Sequence, residues 1–194
     1  MIAGHFGFAA AVKGRAPTVP LWALMLACQW LDVVFVVLFA AGVEGLTPVA
    51  GAKAGAYGAS IIHADFSHSL VGASILSLVF GALASLRYGR RSAVIVGLVA
   101  FSHWILDLPM HRADMSIMLG GAGDLPKLGL GLWRYPLASG LLELALVLGG
   151  AALYGRAAHR IAGGDLGAAR RARVCSAAVL GAGLFTLGLN VLGL

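Results

Sequence analysis

FSHSLVGASILSLVFGALASLRYGRRSAVIVGLVAFSHWILDL, Phe66 to Leu108, decides the fold. It holds two apolar runs, Phe66–Leu86 and Ser92–Leu108, parted by the basic stretch Arg87–Arg91. A bilayer span needs roughly 20 apolar residues. The runs are close to that length, and the stretch between them has room only for a tight turn. Outward from this pair, Pro20–Val43, Pro136–Tyr154 and Val174–Leu194 also qualify as spans. Ile2–Val12 is apolar but only about half a bilayer long, and it reads as a short helix that enters the membrane without having to cross it. The predicted fold class is all-α: a polytopic membrane helix bundle of five transmembrane helices plus the short N-terminal helix. Residues 1–194 form one integral-membrane domain.

Composition agrees. Hydrophobic residues make up 60% of the chain and charged residues 11%, with a mean hydropathy of +0.91. Soluble domains lie near 45–50% apolar and about 25% charged, so the solvent for this surface is lipid. The net charge of +6 does not point to nucleic acid, because Lys and Arg sit in short connectors and no basic stretch alternates with aromatics. Two cysteines occur, Cys28 inside one apolar run and Cys175 at the start of another, so no disulfide framework is expected. Met1–Ala11 lacks the basic start of a cleavable signal peptide.

Charge sets the expected orientation. Lys13 and Arg15 precede the first span, Arg87, Arg90 and Arg91 join the second and third, and Arg156, Arg160, Arg170, Arg171 and Arg173 join the fourth and fifth. With alternating spans, ten of the 14 basic residues fall on one face, which the positive-inside rule makes cytoplasmic. The C-terminus is then outside. The two external connectors, Glu44–Asp65 and His111–Tyr135, are long and Gly-rich, as lids and binding loops are.

Ionisable residues inside spans are costly and mark function or a buried pair. Asp32 lies mid-span in the first, Glu143 two turns into the fourth, and His103 and Asp107 near the external end of the third, with His111 beyond. His68 opens the second and His5 lies in the short N-terminal helix. His103, Asp107 and His111 are each four apart and so share one helical face, with Pro109 expected to loosen the last turn. A His-x3-Asp pair on one helix with a His on another suits a transition metal, Zn²⁺ or Mn²⁺. His5, Asp32, His68, His103, Asp107 and Glu143 are all expected in the external half or near the midplane.

Each residue taken singly has a plainer reading. A lone membrane His serves as often in a helix-to-helix hydrogen bond as in ligation. Glu143 could pair with Arg134, Asp32 could be a structural acceptor, and His63 and Asp65 fit solvated or capping positions at a loop edge. Together the site reading wins, because several unpaired polar groups in lipid would each cost several kcal/mol.

The motifs G-H-F (Gly4–Phe6), Q-W-L-D (Gln29–Asp32), S-H-S-L (Ser67–Leu70), S-H-W-I-L-D-L-P-M-H-R-A-D-M (Ser102–Met115) and L-G-L-G-L-W (Leu128–Trp133), with a Glu in the next span, resemble the membrane-bound metal-dependent hydrolases of bacterial inner membranes, whose LexA-regulated members are the best known. The likeness covers spans one to four. It implies a hydrolase in which a divalent metal, Zn most of all, activates water toward an ester. Carried over, the ligands are His5, His68, His103 and Asp107, with His111 also on the metal face. Asp32 is a further ligand or a partner that holds a His tautomer, and Glu143 is the general base. Arg112 or Arg134 would bind an anionic substrate group. The implied substrate is a membrane lipid or lipid-linked ester, a phosphoester being one form.

Other classes compete. A small non-enzymatic subunit of a larger membrane complex would use the cluster structurally and meet membrane-protein partners through the C-terminal span. A proton relay would need titratable groups in the cytoplasmic half, which offers none. Serines beside histidines suggest a serine hydrolase, but no G-x-S-x-G elbow is present.

Overall fold

The computed structural model describes residues 1–53 and 55–192, so the end of the predicted fifth span, Gly193 and Leu194, lies outside it. The chain runs α1 (Ile2–Lys13), α2 (Leu21–Cys28), α3 (Trp30–Ala40), β1 (Gly45–Pro48), β2 (Ser60–His63), α4 (Leu70–Met110), α5 (Pro136–Ala162) and α6 (Leu166–Leu192), with short 3-10 turns at Leu119–Gly121 and Leu132–Arg134. It is mostly helical, as expected. By length and apolarity three helices could each cross a membrane, α4, α5 and α6, and up to four spans result if α2 and α3, bent by 51°, count as one.

The stretch Phe66–Leu108 explains why that number differs from the five expected. Its two apolar runs belong to one continuous element, α4, whose chain reverses at Gly89 (φ 76°, ψ 168°). That conformation is essentially reserved for glycine. The two arms then lie side by side. A methyl group on Gly81 would sit 2.9 Å from the Ala93 carbonyl oxygen and 3.2 Å from Gly97 Cα, and one on Gly97 would sit 3.2 Å from the Ser77 carbonyl oxygen. Farther out, the Trp104 indole donates to the His68 carbonyl at 3.0 Å. The tight turn expected at Arg87–Arg91 is therefore this reversal.

The first predicted span, Pro20–Val43, is broken at Gln29 (φ −111°, ψ 7°). Neither Pro nor Gly stands at the break. Instead the carbonyl of Cys28, the last residue of α2, accepts a hydrogen bond from His103 Nδ1 at 2.7 Å, a side-chain insertion of the kind that bends helices.

At the other side of the bundle, helices outlast their apolar runs. Arg156 and Arg160 extend α5, and Arg170, Arg171 and Arg173 belong to α6. Ala and Arg are strong helix formers, and Asp165 caps the start of α6 by accepting from Ala168 N–H at 2.7 Å. The connector shrinks to Gly163–Asp165.

The short α1 is the middle of the bundle. Ala3, Gly4, His5, Gly7, Ala9 and Ala10 are all buried. Gly7 and Gly150 meet backbone to backbone: a methyl on Gly7 would strike the Leu146 carbonyl, and one on Gly150 would strike the Gly7 carbonyl. This contact sets His5 at the depth of the polar residues on the other helices.

Both long connectors, Glu44–Asp65 and His111–Tyr135, fold back over that end. In Glu44–Asp65, β1 pairs antiparallel with β2, Gly45 opposite His63 and Pro48 opposite Ser60. Among the described residues this hairpin is the one pair of strands in an otherwise helical chain. In the second connector Met115 bridges Leu128, and Gly131 N–H donates to the His111 carbonyl at 2.6 Å.

Candidate metal centre

His5, Asp32, His68, His103, Asp107 and His111 come from α1, α3 and α4 and from the residues that flank α4 at both ends, and the fold brings them to one point. His103 Nε2 is 3.1 Å from Asp107 Oδ2, 3.3 Å from His68 Nε2 and 3.6 Å from Asp32 Oδ1. His68 Nε2 is 3.4 Å from Asp32 Oδ1, His5 Nε2 is 3.1 Å from Asp107 Oδ1, and His111 Nε2 is 3.6 Å from Asp107 Oδ2. His5 stacks on His103 with ring centroids 3.8 Å apart. His5, His68, His103, Asp107 and His111 are buried, whereas Asp32 is partly exposed, in the first turn of α3. A carboxylate is favoured at that helix start. Pro109 does not undo the last turn of α4. His111 N–H still bonds the Asp107 carbonyl at 2.9 Å, so the i, i+4 geometry reaches His111.

The outer nitrogens decide what the inner ones can do. His103 Nδ1 faces the Cys28 carbonyl, which only accepts, so Nδ1 carries the proton. His111 Nδ1 faces Asp114 Oδ1 at 2.9 Å and is a donor for the same reason. His68 Nδ1 faces Ser67 Oγ at 2.8 Å, and that hydroxyl spends its hydrogen on Glu44 Oε2 at 2.7 Å, so Nδ1 again donates. With Nδ1 tied as a donor, each ring turns Nε2 inward, His68 and His103 toward Asp32 and Asp107, and His111 toward Asp107. A ring nitrogen facing a carboxylate at 3.1–3.6 Å needs positive charge between the two, either a second proton on the ring or a bound cation. Two groups could hold one: His5, His103 and Asp107, and Asp32, His68 and His103. Zn²⁺ with N and O ligands at about 2.0–2.2 Å in a tetrahedron sets donors roughly 3.3–3.5 Å apart. The spacing here fits that, and the outer hydrogen bonds are of the kind that orient metal-ligating histidines.

Two other predicted site residues stand apart from the point of convergence. Glu143 is fully buried, with Oε2 accepting from Gly4 N–H at 3.1 Å and Oε1 from the Tyr57 hydroxyl at 2.9 Å. It braces α1 beside His5. Burial, reinforced by the Glu143 charge, pushes the Tyr57 phenol well above its ordinary pKa. Arg112 Nη2 donates to the Gly58 carbonyl at 2.8 Å. His63 and Asp65 lie at the loop edge, His63 on Thr47 Oγ1 at 2.9 Å and Asp65 on Lys127 Nζ at 2.8 Å.

Glu44 escaped the sequence reading. It is buried, and Oε1 accepts from Phe66 N–H and Ser67 N–H, each at 2.8 Å. At the end of an apolar run before a Gly-rich connector, an acid reads as solvated. The available signal was scarcity: of eight acidic residues in the chain, five (Asp32, Glu44, Asp107, Asp114 and Glu143) serve this polar core. Tyr57, inside the connector, had no such signal.

No family model, curated protein or solved structure matches the chain.

Proposed function

We propose that this chain is a membrane-embedded metal-dependent hydrolase that acts near the external leaflet of a bacterial inner membrane on a lipid-like or lipid-linked ester. One observation carries the reading: three histidines with their outer nitrogens tied gather their inner nitrogens around two carboxylates, and two groups of these residues are spaced to hold a metal ion. The motif likeness to membrane-bound metal-dependent hydrolases supports the same chemistry. The two arms of α4, the bent pair α2–α3, α5 and α6 serve as five spans, with the Arg-rich ends cytoplasmic.

His5, His68, His103 and Asp107, with Asp32 and His111, would hold a divalent ion, Zn²⁺ by preference and Mn²⁺ otherwise, which would acidify water for attack on the ester. Glu44 acts through Ser67 to fix the His68 tautomer, and the Cys28 carbonyl and Asp114 do so for His103 and His111. Glu143 holds the start of α1, and release of its Tyr57 partner would free Oε1 as a general base.

Protein purified in detergent without chelator should carry a divalent metal by elemental analysis. His103→Ala should lower that content, and His103→Ala with Asp107→Ala should abolish it. Wild-type protein that holds no metal, even after reloading with Zn²⁺ or Mn²⁺, sinks the reading.

A second reading has one observation in its favour. Of α6, only Ala172, Gly183 and Leu187 are buried, while Leu184, Phe185 and Val191 face outward. A small subunit of a larger membrane complex would present such a helix to its partners. In that case the cluster is structural, and the metal-free protein keeps its full thermal stability.

A further inference from the structure

Over the metal centre, two buried N–H groups have nothing to donate to. Arg112 spends Nη2 on the Gly58 carbonyl, but its Nε is buried without an acceptor, and so is the Trp133 indole nitrogen. Among the described residues the only Lys or Arg in an ion pair is Lys127, with Asp65. Arg112 therefore has no carboxylate partner. A buried donor left unpaired costs about 1–3 kcal/mol, and more when charged. Two such donors on residues that meet at one glycine call for an explanation.

They are neighbours of each other and of the centre. Both flank Gly58, where a methyl group would sit 3.1 Å from Trp133 Cβ and 3.4 Å from Arg112 Nη2. The loop holds that place because Gly58 adopts φ +65°, a region that other residues rarely enter. The Trp133 ring lies 4.3 Å from the His111 ring. His111 Nε2 in turn is 3.6 Å from Asp107 Oδ2. A groove of about 390 Å³ opens alongside, lined by Tyr57, Gly58, Ser60, Ile62, Trp133 and Asn190 among others.

Water could accept from these donors but would leave the guanidinium charge unpaired. A carboxylic ester group carries no negative charge of its own. An oxyanion with several oxygens satisfies the charge, the planar guanidinium and the indole N–H together, and phosphate is the group that guanidinium geometry suits best among those an ester can carry. We propose that Arg112 and Trp133 form an anion subsite beside the metal centre and that the ester handled there is a phosphoester. This rests on the hydrolase reading above. In the reaction the water oxygen forms a new bond to phosphorus, the P–O bond to the alcohol breaks, and the proton from water ends on the departing alcohol.

The test uses full-length, Zn²⁺-reconstituted protein in detergent and titrates inorganic phosphate by calorimetry. A second arm compares capture by vesicles of phosphatidylcholine with and without phosphatidic acid. Phosphate should bind, and Arg112→Gln should weaken it tenfold or more with metal content unchanged. Trp133→Phe keeps the ring on His111, removes only the N–H, and should also weaken binding several-fold. Dependence on Arg112 in the vesicle arm alone supports the subsite and makes the lipid headgroup the source of the phosphate. Metal-loaded protein that binds neither ligand, or binds them regardless of Arg112→Gln and Trp133→Phe, overturns this inference alone. Protein that takes up no metal overturns the hydrolase reading and this inference with it.

Discussion

α1 and α6 are both apolar helices rich in small residues, yet α1 lies at the centre of the bundle and α6 at its margin. The short α1 buries six of its 12 residues, whereas the 27 residues of α6 bury three. Hydrophobicity cannot separate them, because lipid is as apolar as a protein core and the driving force between membrane helices comes from packing. What separates them is what stands opposite their glycines. Gly7 lies against the α5 backbone at Leu146 and Gly150, while Gly181 and Gly188 of α6 have nothing within 4 Å. Of the α6 glycines, Gly183 makes the contact, with Val147 of α5.

Substitution at these glycines should break the comparison most sharply. Gly7→Leu or Gly150→Leu drives a side chain into backbone, which cannot yield as a side chain would, and should cost about 3 kcal/mol or more. Gly188→Leu on α6 should stay within about 0.5 kcal/mol. Thermal unfolding in detergent reads both, and equal losses would mean that α1 is not the packing centre.

A smaller effect is expected where the Glu44–Asp65 connector is tied to α1 through Glu143. Tyr57→Phe removes one of the two donors to the buried Glu143 carboxylate and should destabilise by about 1–3 kcal/mol. Thr186→Val on α6, whose exposed hydroxyl bonds only the Ala182 carbonyl, should be nearly silent. The folded pKa of Tyr57 is raised, by burial first and by Glu143 second. The contribution of this tie is therefore fully present below the ordinary tyrosine pKa of about 10 and fades only as pH rises through the folded value. A penalty for Tyr57→Phe that varied between pH 6 and 8 would contradict this assignment.

The smallest effect belongs to a tie that touches neither helix. Burial pushes the Asp65 carboxyl up, but hydrogen bonds from Lys127 and Ser116 and the Lys127 charge outweigh it and hold the carboxyl below its usual range. A lowered carboxyl pKa stabilises the fold above the unfolded value of about 3.9, and the benefit is lost as pH falls through the folded value. Because both partners are partly exposed, Asp65→Asn should cost less than about 1 kcal/mol near neutral pH, with the difference from wild type shrinking below pH 4. A larger loss in pH-dependent melting would show that this connector is anchored through Asp65.

Much of the polar core was legible residue by residue. Charge inside an apolar run is rare enough that Asp32, His68, His103, Asp107 and Glu143 stand out, and the spacing of four from His103 to His111 survives because Pro109 leaves the turn that links Asp107 to His111 intact. Glu44 and Tyr57 were not legible, since an acid or a phenol in a Gly-rich connector normally meets water. The burial of Glu44 and the partial burial of Tyr57 follow from the way the β1–β2 hairpin and the loop behind it fold down onto α4 and α5. Nor was the break at Gln29 legible, because no local breaker marks it and its cause, His103, lies on another helix.

Composition, the length of the apolar runs and the position of the arginines alone determined that this chain carries helices apolar enough to cross a membrane, that it is mostly helical, and that Arg87–Arg91 is a turn. These are properties of transfer from water to lipid and of local backbone preference, which act on each segment by itself. Which helix occupies the middle, which nitrogen of each histidine faces inward, and which connector residues reach the site were decided by the tertiary structure. They depend on backbone contacts between glycines and on hydrogen bonds between residues tens of positions apart, to which hydropathy and spacing along one chain are blind.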